Sequence, residues 1–385
     1  MKNITILGST GSIGQQTLNI IENNSDLYKV DILTTHSNIT LLEEQCKKFK
    51  PNAVLIADDD ARSKFIKKTK YKGDISNSNA LPIITRAATT DIVVSALVGI
   101  AGLLPTITAI ESGKTILLAN KEVLVVAGKY VMNKVRKYKT KIIPIDSEHS
   151  AIYQCLIGEK KKNINKIILT ASGGPFFKLK KEELEKVQLS DALNHPTWNM
   201  GKKVTIDSAT MMNKGFEVIE AKWLFGIDTN KIDVVIHPQS IIHSMVEFID
   251  GSVKAQLSYP DMRFPISFAL ATGNRTVNSY EKIDFTKFNR LDFSDVPKNK
   301  FQCLDLAYSC VNKGGNACAI LNAANEIVVA AFIKNKIKFT EIPIYITNAL
   351  NKIEYIDSPT IEKLLETDIK TRKYVSNLMY NNNVK

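Results

Sequence analysis

The chain of 385 residues is long enough for two or three domains, each with its own core. Its hydrophobic fraction of 44% and charged fraction of 23% are those of a soluble globular protein and exclude a disordered or fibrous one. The net charge of +12 comes mainly from Lys residues spread along the whole chain, which argues against nucleic-acid binding because base and phosphate recognition favours Arg.

The first 145 residues alternate strand-like and helix-like segments. Strands are predicted at residues 4–7, 30–34, 53–56, 92–95, 115–118 and 142–145. Helices are predicted between them at residues 12–22, 41–49, 102–112 and 123–137. This alternation predicts a parallel sheet with right-handed crossovers, which is an N-terminal doubly wound domain of the Rossmann type.

Residues 92–110 carry no charge and are long enough to consider as a membrane span. Gly99, Gly102 and Pro105 interrupt the run, so a buried strand, a tight loop and the start of a helix are the better prediction. The first predicted strand begins almost at Met1, and the five cysteines form no C-x-x-C pair. We therefore expect a cytoplasmic protein with reduced thiols and no membrane partner.

From about residue 146 the pattern becomes that of a central α+β domain. Strands are predicted at 164–170, 232–236, 243–249 and 252–257, with a hairpin at Asp250-Gly251 and one helix at 208–225. Residues 272–300 show no clear period and are predicted to form a linker. Helices at 301–312, 317–334, 342–352 and 359–380 then predict a small C-terminal helical bundle.

A glycine-rich segment, Gly8-Ser9-Thr10-Gly11-Ser12-Ile13-Gly14, lies between the first predicted strand and helix. Glycines three residues apart allow the backbone to approach a pyrophosphate at the helix N-terminus, although a glycine-rich loop with no ligand is the alternative. NAD enzymes usually carry an acid at the end of the second strand. Here Thr34-Thr35-His36-Ser37-Asn38 stands there instead, and its neutral donors favour NADP.

Two acidic stretches, Asp146-Ser147-Glu148-His149 and Asp207 to Glu217, are the most informative features. The first follows a strand at the carboxyl edge of the predicted sheet, where such folds bind ligands, although helix capping alone explains Asp and Ser there equally well. The second places Ser208, Asn213 and Lys214 near a helix N-terminus, which favours anions. Carboxylate ligands suit Mg²⁺ or Mn²⁺, and hydroxyl, amide and ammonium donors suit a phosphate. Together they favour a metal-assisted dehydrogenase acting on a small phosphorylated substrate.

Four of the five His residues and both Trp residues fall between residues 149 and 243, which indicates that the chemistry lies in the middle domain. His195 and Trp198 lie in a stretch without a clear period. For His237 and His243 taken singly, a structural role is the more common one, and Trp223 is expected in a helix core.

Several longer motifs occur in order along nearly the whole chain. Besides residues 8–14, 146–149 and 207–217, they are Leu117-Leu118-Ala119-Asn120-Lys121-Glu122, Ser172-Gly173-Gly174-Pro175-Phe176, His195-Pro196, residues 237–244 and Leu321-Asn322-Ala323-Ala324-Asn325-Glu326. In these motifs the chain resembles the 1-deoxy-D-xylulose 5-phosphate reductoisomerase family, the NADPH-dependent enzymes of the non-mevalonate isoprenoid pathway. One difference is the bulkier His36, where the family usually has a small residue.

The resemblance implies a role for each matching residue. The implied metal ligands for one Mg²⁺ or Mn²⁺ are Asp146, Glu148 and Glu217, which with Lys121 form the catalytic group. The implied substrate-binding residues are Ser147, Glu148, Ser172, His195, Trp198, Met200, Ser208, Asn213, Lys214 and Glu217. The implied NADPH-binding residues are Thr10, Gly11, Ser12, Ile13, His36, Ser37, Asn38, Asn120, Glu122 and Gly201.

The resemblance also implies a domain plan and a reaction. The plan is an NADP-binding domain at 1–146, a catalytic and dimerisation domain at 147–271, a linker at 272–300 and a helical domain at 301–385. The catalytic domain carries a flap at about 172–202. The protein is expected to form a homodimer. The reaction rearranges the carbon skeleton of the sugar phosphate and then transfers hydride from NADPH. The alternatives are a metal-free semialdehyde or sugar dehydrogenase, a dinucleotide-sensing regulator and a basic nucleic-acid binder.

Overall fold

Seven short runs rich in Val, Ile and Leu form the first sheet in the computed structural model, which describes residues 1–198, 200–297 and 299–383. The strands are β1 (Lys2–Leu7), β2 (Tyr28–Thr35), β3 (Ala53–Ile56), β4 (Asp74–Ser76), β5 (Ile92–Ser95), β6 (Thr115–Leu118) and β7 (Ile142–Pro144). All neighbours pair in parallel, in the order β4-β3-β2-β1-β5-β6-β7. The predicted doubly wound sheet is confirmed, and only β4 was not predicted. The order reverses at β1, so the crevice beyond the ends of β1 and β5 is the expected ligand position.

The remaining strands and the helices follow the chain in order. The strands are β8 (Ile164–Ala171), β9 (Ile232–Ile236), β10 (Ile242–Phe248), β11 (Val253–Leu257) and β12 (Ser294–Asp295). The helices are α1 (Ser12–Glu22), α2 (Ile39–Phe49), α3 (Asp59–Lys68), α4 (Leu81–Ile84), α5 (Leu103–Glu111), α6 (Glu122–Tyr138), α7 (Ser147–Cys155), α8 (Leu189–Leu193), α9 (Lys202–Ala209), α10 (Met212–Phe225), α11 (Arg263–Leu270), α12 (Gln302–Lys313), α13 (Ala317–Ile333), α14 (Ile342–Lys352) and α15 (Ile361–Asn383).

The chain divides into two units. The first contains residues 1–123, 130–150 and 261–280, and the second contains residues 124–129, 151–260 and 281–385. Helix α11 therefore belongs to the first unit, where Ile266, Ala269 and Leu270 join the core formed by the parallel sheet and α1. This return of the chain to its first unit is a long-range contact that no local sequence pattern reveals.

The uncharged run at residues 92–110 forms β5, a short 3₁₀ turn at Gly99–Gly102 and then α5, as predicted. Both β5 and α5 are buried within the first unit. Among the residues that the structure describes, no helix combines the length and the apolar character needed to cross a bilayer.

The second unit is built on a mixed five-stranded sheet in the order β11-β10-β8-β9-β12. Strand β10 pairs antiparallel with β8 and β11, whereas β8 and β9 are parallel. The β10–β11 hairpin turns at Asp250-Gly251, and Gly251 has a φ of 83°, a left-handed conformation that glycine adopts without strain. The predicted hairpin and α+β character are both confirmed.

The single helix predicted at residues 208–225 is wrong. Helix α9 ends at Ala209 and α10 begins at Met212, because Met211 takes a left-handed φ of 62°. The Thr210 hydroxyl accepts a hydrogen bond from the Met212 amide at 3.3 Å across this break. The break places Ser208 at the end of one helix and the following polar residues in the first turn of the next.

Helices α10, α12, α13, α14 and α15 share one apolar core in the second unit, which confirms the predicted C-terminal helices. Gly215 allows α10 to approach α12 closely, since a Cβ at this position would lie 2.5 Å from the Cβ of Ala307. The helix that carries Glu217 is therefore packed directly against the C-terminal helices.

Candidate active site

The glycine-rich loop after β1 has the shape of a phosphate cradle. Gly8 has a φ of 89°, and a Cβ there would lie 2.7 Å from the carbonyl oxygen of Ala96. A Cβ on Gly14 would lie 2.3 Å from the carbonyl oxygen of Gly8, so both positions require glycine. Gly11 precedes α1 and has no side chain to cap it, which leaves the N–H groups around Ser12 and Ile13 for an anion.

The residues predicted to bind a 2′-phosphate follow β2 in the same unit. His36 and Ser37 are exposed, and the Asn38 side chain caps α2 by accepting a hydrogen bond from the Leu41 amide at 3.2 Å. The hydroxyls of Thr10 and Thr35 are 2.7 Å apart, which joins the glycine-rich loop to the end of β2. The two parts of the predicted dinucleotide site are therefore adjacent.

Asn120 has a structural role that its motif did not reveal. Its side-chain NH₂ donates to the carbonyl oxygens of Leu97 and, at 3.0 Å, of Gly99, and its side-chain oxygen accepts from the Val123 amide at 3.2 Å. The side chain thus joins the turn after β5 to the start of α6. Glu122 is buried at the first residue of α6.

Lys121 and Asp146 form an ion pair in the first unit, with 2.5 Å between Nζ and Oδ2. The Ser147 hydroxyl donates to Oε2 of Glu148 at 2.6 Å at the start of α7. His149 is fully buried, and its Nδ1 lies 3.7 Å from Oδ2 of Asp146. The structure therefore brings the predicted catalytic lysine and one predicted metal ligand into contact.

Glu217 is fully buried in the second unit. Asn213 donates to its Oε1 at 2.6 Å, and the ammonium of Lys214 donates to its Oε2. These residues precede Glu217 by four and three positions, which places all three on one face of α10. Burying a carboxylate is costly unless a cation and hydrogen-bond donors accompany it, and this helix face supplies both.

Ser172, His195 and Ser208 form a second polar cluster in the same unit. Nε2 of His195 lies 3.1 Å from the Ser172 hydroxyl and 3.2 Å from the Ser208 hydroxyl. Nδ1 accepts hydrogen bonds from the amides of Thr197 and Trp198, so the proton of the neutral ring is on Nε2. Since Nε2–H donates towards the serine oxygens, the hydroxyl hydrogens can point to an external acceptor such as a phosphate oxygen.

Glycine allows the loop that carries Ser172 to lie close to the end of α9. Gly173 and Gly174, which follow Ser172, both have positive φ, at 85° and 65°. A Cβ on Gly174 would lie 2.8 Å from the carbonyl oxygen of Ser208. A side chain at Gly174 would therefore push the loop away from the end of α9.

Trp198, Met200 and Gly201 lie just before α9, and Asn199 between them is outside the described residues. Rings of Trp198 and His243 meet edge to face with 6.1 Å between centroids. The sequence indicated His243 through the clustering of His and Trp residues and through the motif at residues 237–244, but it assigned this residue no role in the site. His237 has a structural role, as predicted, because it is fully buried and its Nε2 accepts hydrogen bonds from two backbone amides.

Asp207, which was not predicted as a site residue, holds α9 in place next to Ser208. It is buried, its Oδ2 lies 2.8 Å from the ammonium of Lys203, and its Oδ1 accepts a hydrogen bond from Asn325 of α13 at 2.8 Å. The only sequence signal was that Asp207 begins the motif that contains Ser208. The bond to Asn325 connects α9 to the C-terminal helices.

Three family models match the chain. They describe 1-deoxy-D-xylulose 5-phosphate reductoisomerase at residues 4–128 and its C-terminal domains at residues 142–225 and 257–374. The reductoisomerase of Chloroherpeton thalassium is 48% identical over 379 residues, which cover 97% of each chain. This chain belongs to the 1-deoxy-D-xylulose 5-phosphate reductoisomerase family. A Thermoanaerobacter relative of the same name is 49% identical and covers 98% of this chain and 99% of its own.

Solved structures of the family have the same fold. A reductoisomerase in complex with NADPH, fosmidomycin and magnesium is 38% identical, with a TM-score of 0.94 over 99% of this chain and 98% of its own. The Zymomonas mobilis enzyme in complex with NADPH is 40% identical, with a TM-score of 0.91 over 98% of this chain and 99% of its own.

His195 should remain neutral at a pH where an exposed histidine is half protonated. Burial lowers the pKa of its imidazole below the ordinary value of 6.5. Because the unfolded chain binds this proton more readily, the free energy of unfolding should fall as pH drops below 6.5 and show no His195 contribution above it.

An NMR titration of the imidazole resonances, assigned by comparison with His195→Gln, measures this pKa directly. A value at or above 6.5 would contradict the arrangement in which Nδ1 accepts two amide hydrogen bonds.

Proposed function

We propose that this protein converts 1-deoxy-D-xylulose 5-phosphate to 2-C-methyl-D-erythritol 4-phosphate in isoprenoid biosynthesis. It is an NADPH-dependent oxidoreductase that uses a divalent metal ion. The observation that carries this proposal is the 48% identity to a reductoisomerase over 379 residues, which cover 97% of each chain.

NADPH supplies the hydride that reduces the rearranged aldehyde. We assign its phosphates to the loop Thr10-Gly11-Ser12-Ile13 at the N-terminus of α1, where the glycine backbone leaves room for them. His36, Ser37 and Asn38 take the 2′-phosphate, since they are neutral donors where an acidic residue would repel it. Asn120, Glu122 and Gly201 complete the cofactor site in this proposal.

A divalent ion such as Mg²⁺ or Mn²⁺ acts as a Lewis acid on the substrate's carbonyl and adjacent hydroxyl oxygens. We assign Asp146, Glu148 and Glu217 as its ligands. The fit rests on the chemistry of these donors, because three carboxylates offer only oxygen ligands, which hard cations prefer. Lys214 supplies positive charge to the buried carboxylate of Glu217.

The substrate phosphate belongs to the second unit in this proposal. The hydroxyls of Ser172 and Ser208, which His195 orients, would donate to its oxygens together with Asn213 and Lys214. These contacts lie at the end of the substrate away from the reacting carbons, so their binding energy orients the substrate and favours closure of the flap. Trp198 and Met200 would cover the substrate, and closure would exclude water.

At the other end of the substrate, we assign Lys121 and Ser147 to the ketose oxygens. Lys121 is within ion-pair distance of Asp146, and the Ser147 hydroxyl contacts Glu148, so each polar group lies beside a proposed metal ligand. An ammonium group at this position would stabilise negative charge that develops on a substrate oxygen during the reaction.

The domain plan and the assembly state also remain proposals. We propose cofactor binding by residues 1–146, catalysis and dimerisation by 147–271, a linker at 272–300 and a helical domain at 301–385. Asn199, Lys298, Val384 and Lys385 in these ranges are outside the described residues. A homodimer in the cytoplasm is the assembly and location that fit the family resemblance.

Replacing Glu217 by Gln tests the metal assignment. We expect a turnover lower by about two orders of magnitude, because the change removes a charged ligand and leaves the Lys214 ammonium without its carboxylate. Isothermal titration of Mn²⁺ into the protein should show a parallel loss of affinity. The control is Glu281→Gln, an exposed carboxylate of the same unit. Normal turnover and Mn²⁺ affinity in Glu217→Gln would remove Glu217 from the ligand set.

Replacing Ser37 by Asp tests the cofactor assignment. A carboxylate after β2 should repel the 2′-phosphate and bind the free ribose hydroxyls, so the ratio of kcat/KM for NADPH over NADH should fall by about tenfold or more. The matched control is Ser25→Asp, which adds the same charge at an exposed position before the start of β2. An equal ratio in both variants would place the 2′-phosphate elsewhere.

A further inference from the structure

Lys300 makes an unusual set of contacts two residues before α12 begins. Its ammonium donates to the backbone carbonyl oxygens of Phe176 at 2.7 Å, Phe177 at 2.8 Å and Leu179. An ammonium has three N–H donors, so these three carbonyls use all of them. The ammonium also lies 5.1 Å from the ring centroid of Phe301, which adds a cation–π contact.

The contacts have an energetic basis. The three carbonyls belong to one turn, in which the Phe176 oxygen also accepts a hydrogen bond from the Leu179 amide at 3.1 Å. The Lys300 ammonium donates to all three oxygens, and these bonds replace the hydrogen bonds to water that the ammonium loses on burial. Burial lowers the pKa of Lys300, while Glu183 acts in the opposite direction. Since its donors are all engaged with the backbone, Lys300 supports the turn and does not itself bind substrate.

This turn directly continues the loop that carries Ser172. The loop begins at the end of β8, where the carbonyl oxygen of Ala171 accepts a hydrogen bond from the His237 amide at 2.7 Å. Between the two anchored ends lie Gly173 and Gly174, whose backbones have the widest range of allowed conformations. Contacts at both ends restrict the conformations of such a loop, and the three hydrogen bonds of Lys300 hold its second end.

We propose that Lys300 is a positioning residue for the substrate phosphate. It keeps residues 172–179 in the conformation that places the Ser172 hydroxyl beside His195 and Gly174 against the end of α9. The inference rests on the proposed assignment of Ser172 to the phosphate. Its sequence position, at the end of the stretch predicted to be a linker, gave no indication of this role.

The test compares Lys300→Met with Lys178→Met and Ser172→Ala. Methionine keeps the apolar stem of Lys300 and removes its three N–H donors. Lys178→Met is the control, because Lys178 is an exposed lysine of the same loop and its replacement changes the net charge by the same amount. The variants are assayed with 1-deoxy-D-xylulose 5-phosphate and with phosphate-free 1-deoxy-D-xylulose, and thermal unfolding is recorded.

We expect Lys300→Met to raise the KM for the phosphorylated substrate about tenfold with kcat nearly unchanged, because loosened phosphate contacts weaken binding. Lys178→Met should resemble the unmodified enzyme. With the phosphate-free sugar, Lys300→Met and Lys178→Met should have equal kcat/KM, a result that general destabilisation would not produce.

Two other results would overturn the inference. If Ser172→Ala raises the KM but Lys300→Met matches Lys178→Met, Lys300 has no positioning role and the proposed phosphate site stands. If Ser172→Ala leaves the KM unchanged, the phosphate assignment fails and the inference fails with it. Should Lys300→Met not fold, Lys300→Gln decides, since its amide has only two N–H donors for the three carbonyls. A raised KM then supports the inference, and a normal KM overturns it.

Discussion

The buried carboxylate of Glu217 is the constraint on which the candidate site depends. A negative charge without access to water is costly, and Asn213 and Lys214 on the same helix face compensate for it. Lys121 and Asp146 repeat the arrangement in the first unit. In both places a lysine balances the charge of a carboxylate that we propose as a metal ligand.

Contacts farther from the candidate site fix the polar groups that we propose to bind the substrate. His195 orients two serine hydroxyls, and Asp207 connects the helix that carries one of them to α13 through Asn325. The C-terminal helices therefore support the polar cluster of Ser172, His195 and Ser208 through α9, and they support α10 through the close packing of α10 on α12 at Gly215. In the first unit, Asn120 has a comparable function, since it joins two segments at the carboxyl edge of the sheet. Supporting contacts of this kind set the precision of a site as much as the groups that touch the ligand.

Local patterns predicted the parts of the molecule that local physics determines. Alternating strands and helices predicted the parallel sheet, Asp250-Gly251 predicted the hairpin, and the glycine spacing predicted the loop before α1. The break between α9 and α10 escaped prediction because Met211 is not a residue that normally marks a left-handed turn. The place of α11 in the first unit and the Lys300 contacts also escaped, because they join distant residues and, for Lys300, involve backbone carbonyls that carry no sequence signature.

The most direct test is NADPH oxidation by the chelator-treated protein with 1-deoxy-D-xylulose 5-phosphate as the metal concentration is raised from zero. If Asp146, Glu148 and Glu217 hold one divalent ion as proposed, we expect no oxidation in the presence of the chelator and recovery when Mg²⁺ or Mn²⁺ is added. The expected product is 2-C-methyl-D-erythritol 4-phosphate. Oxidation at full rate without a divalent ion would contradict this and indicate a metal-free dehydrogenase.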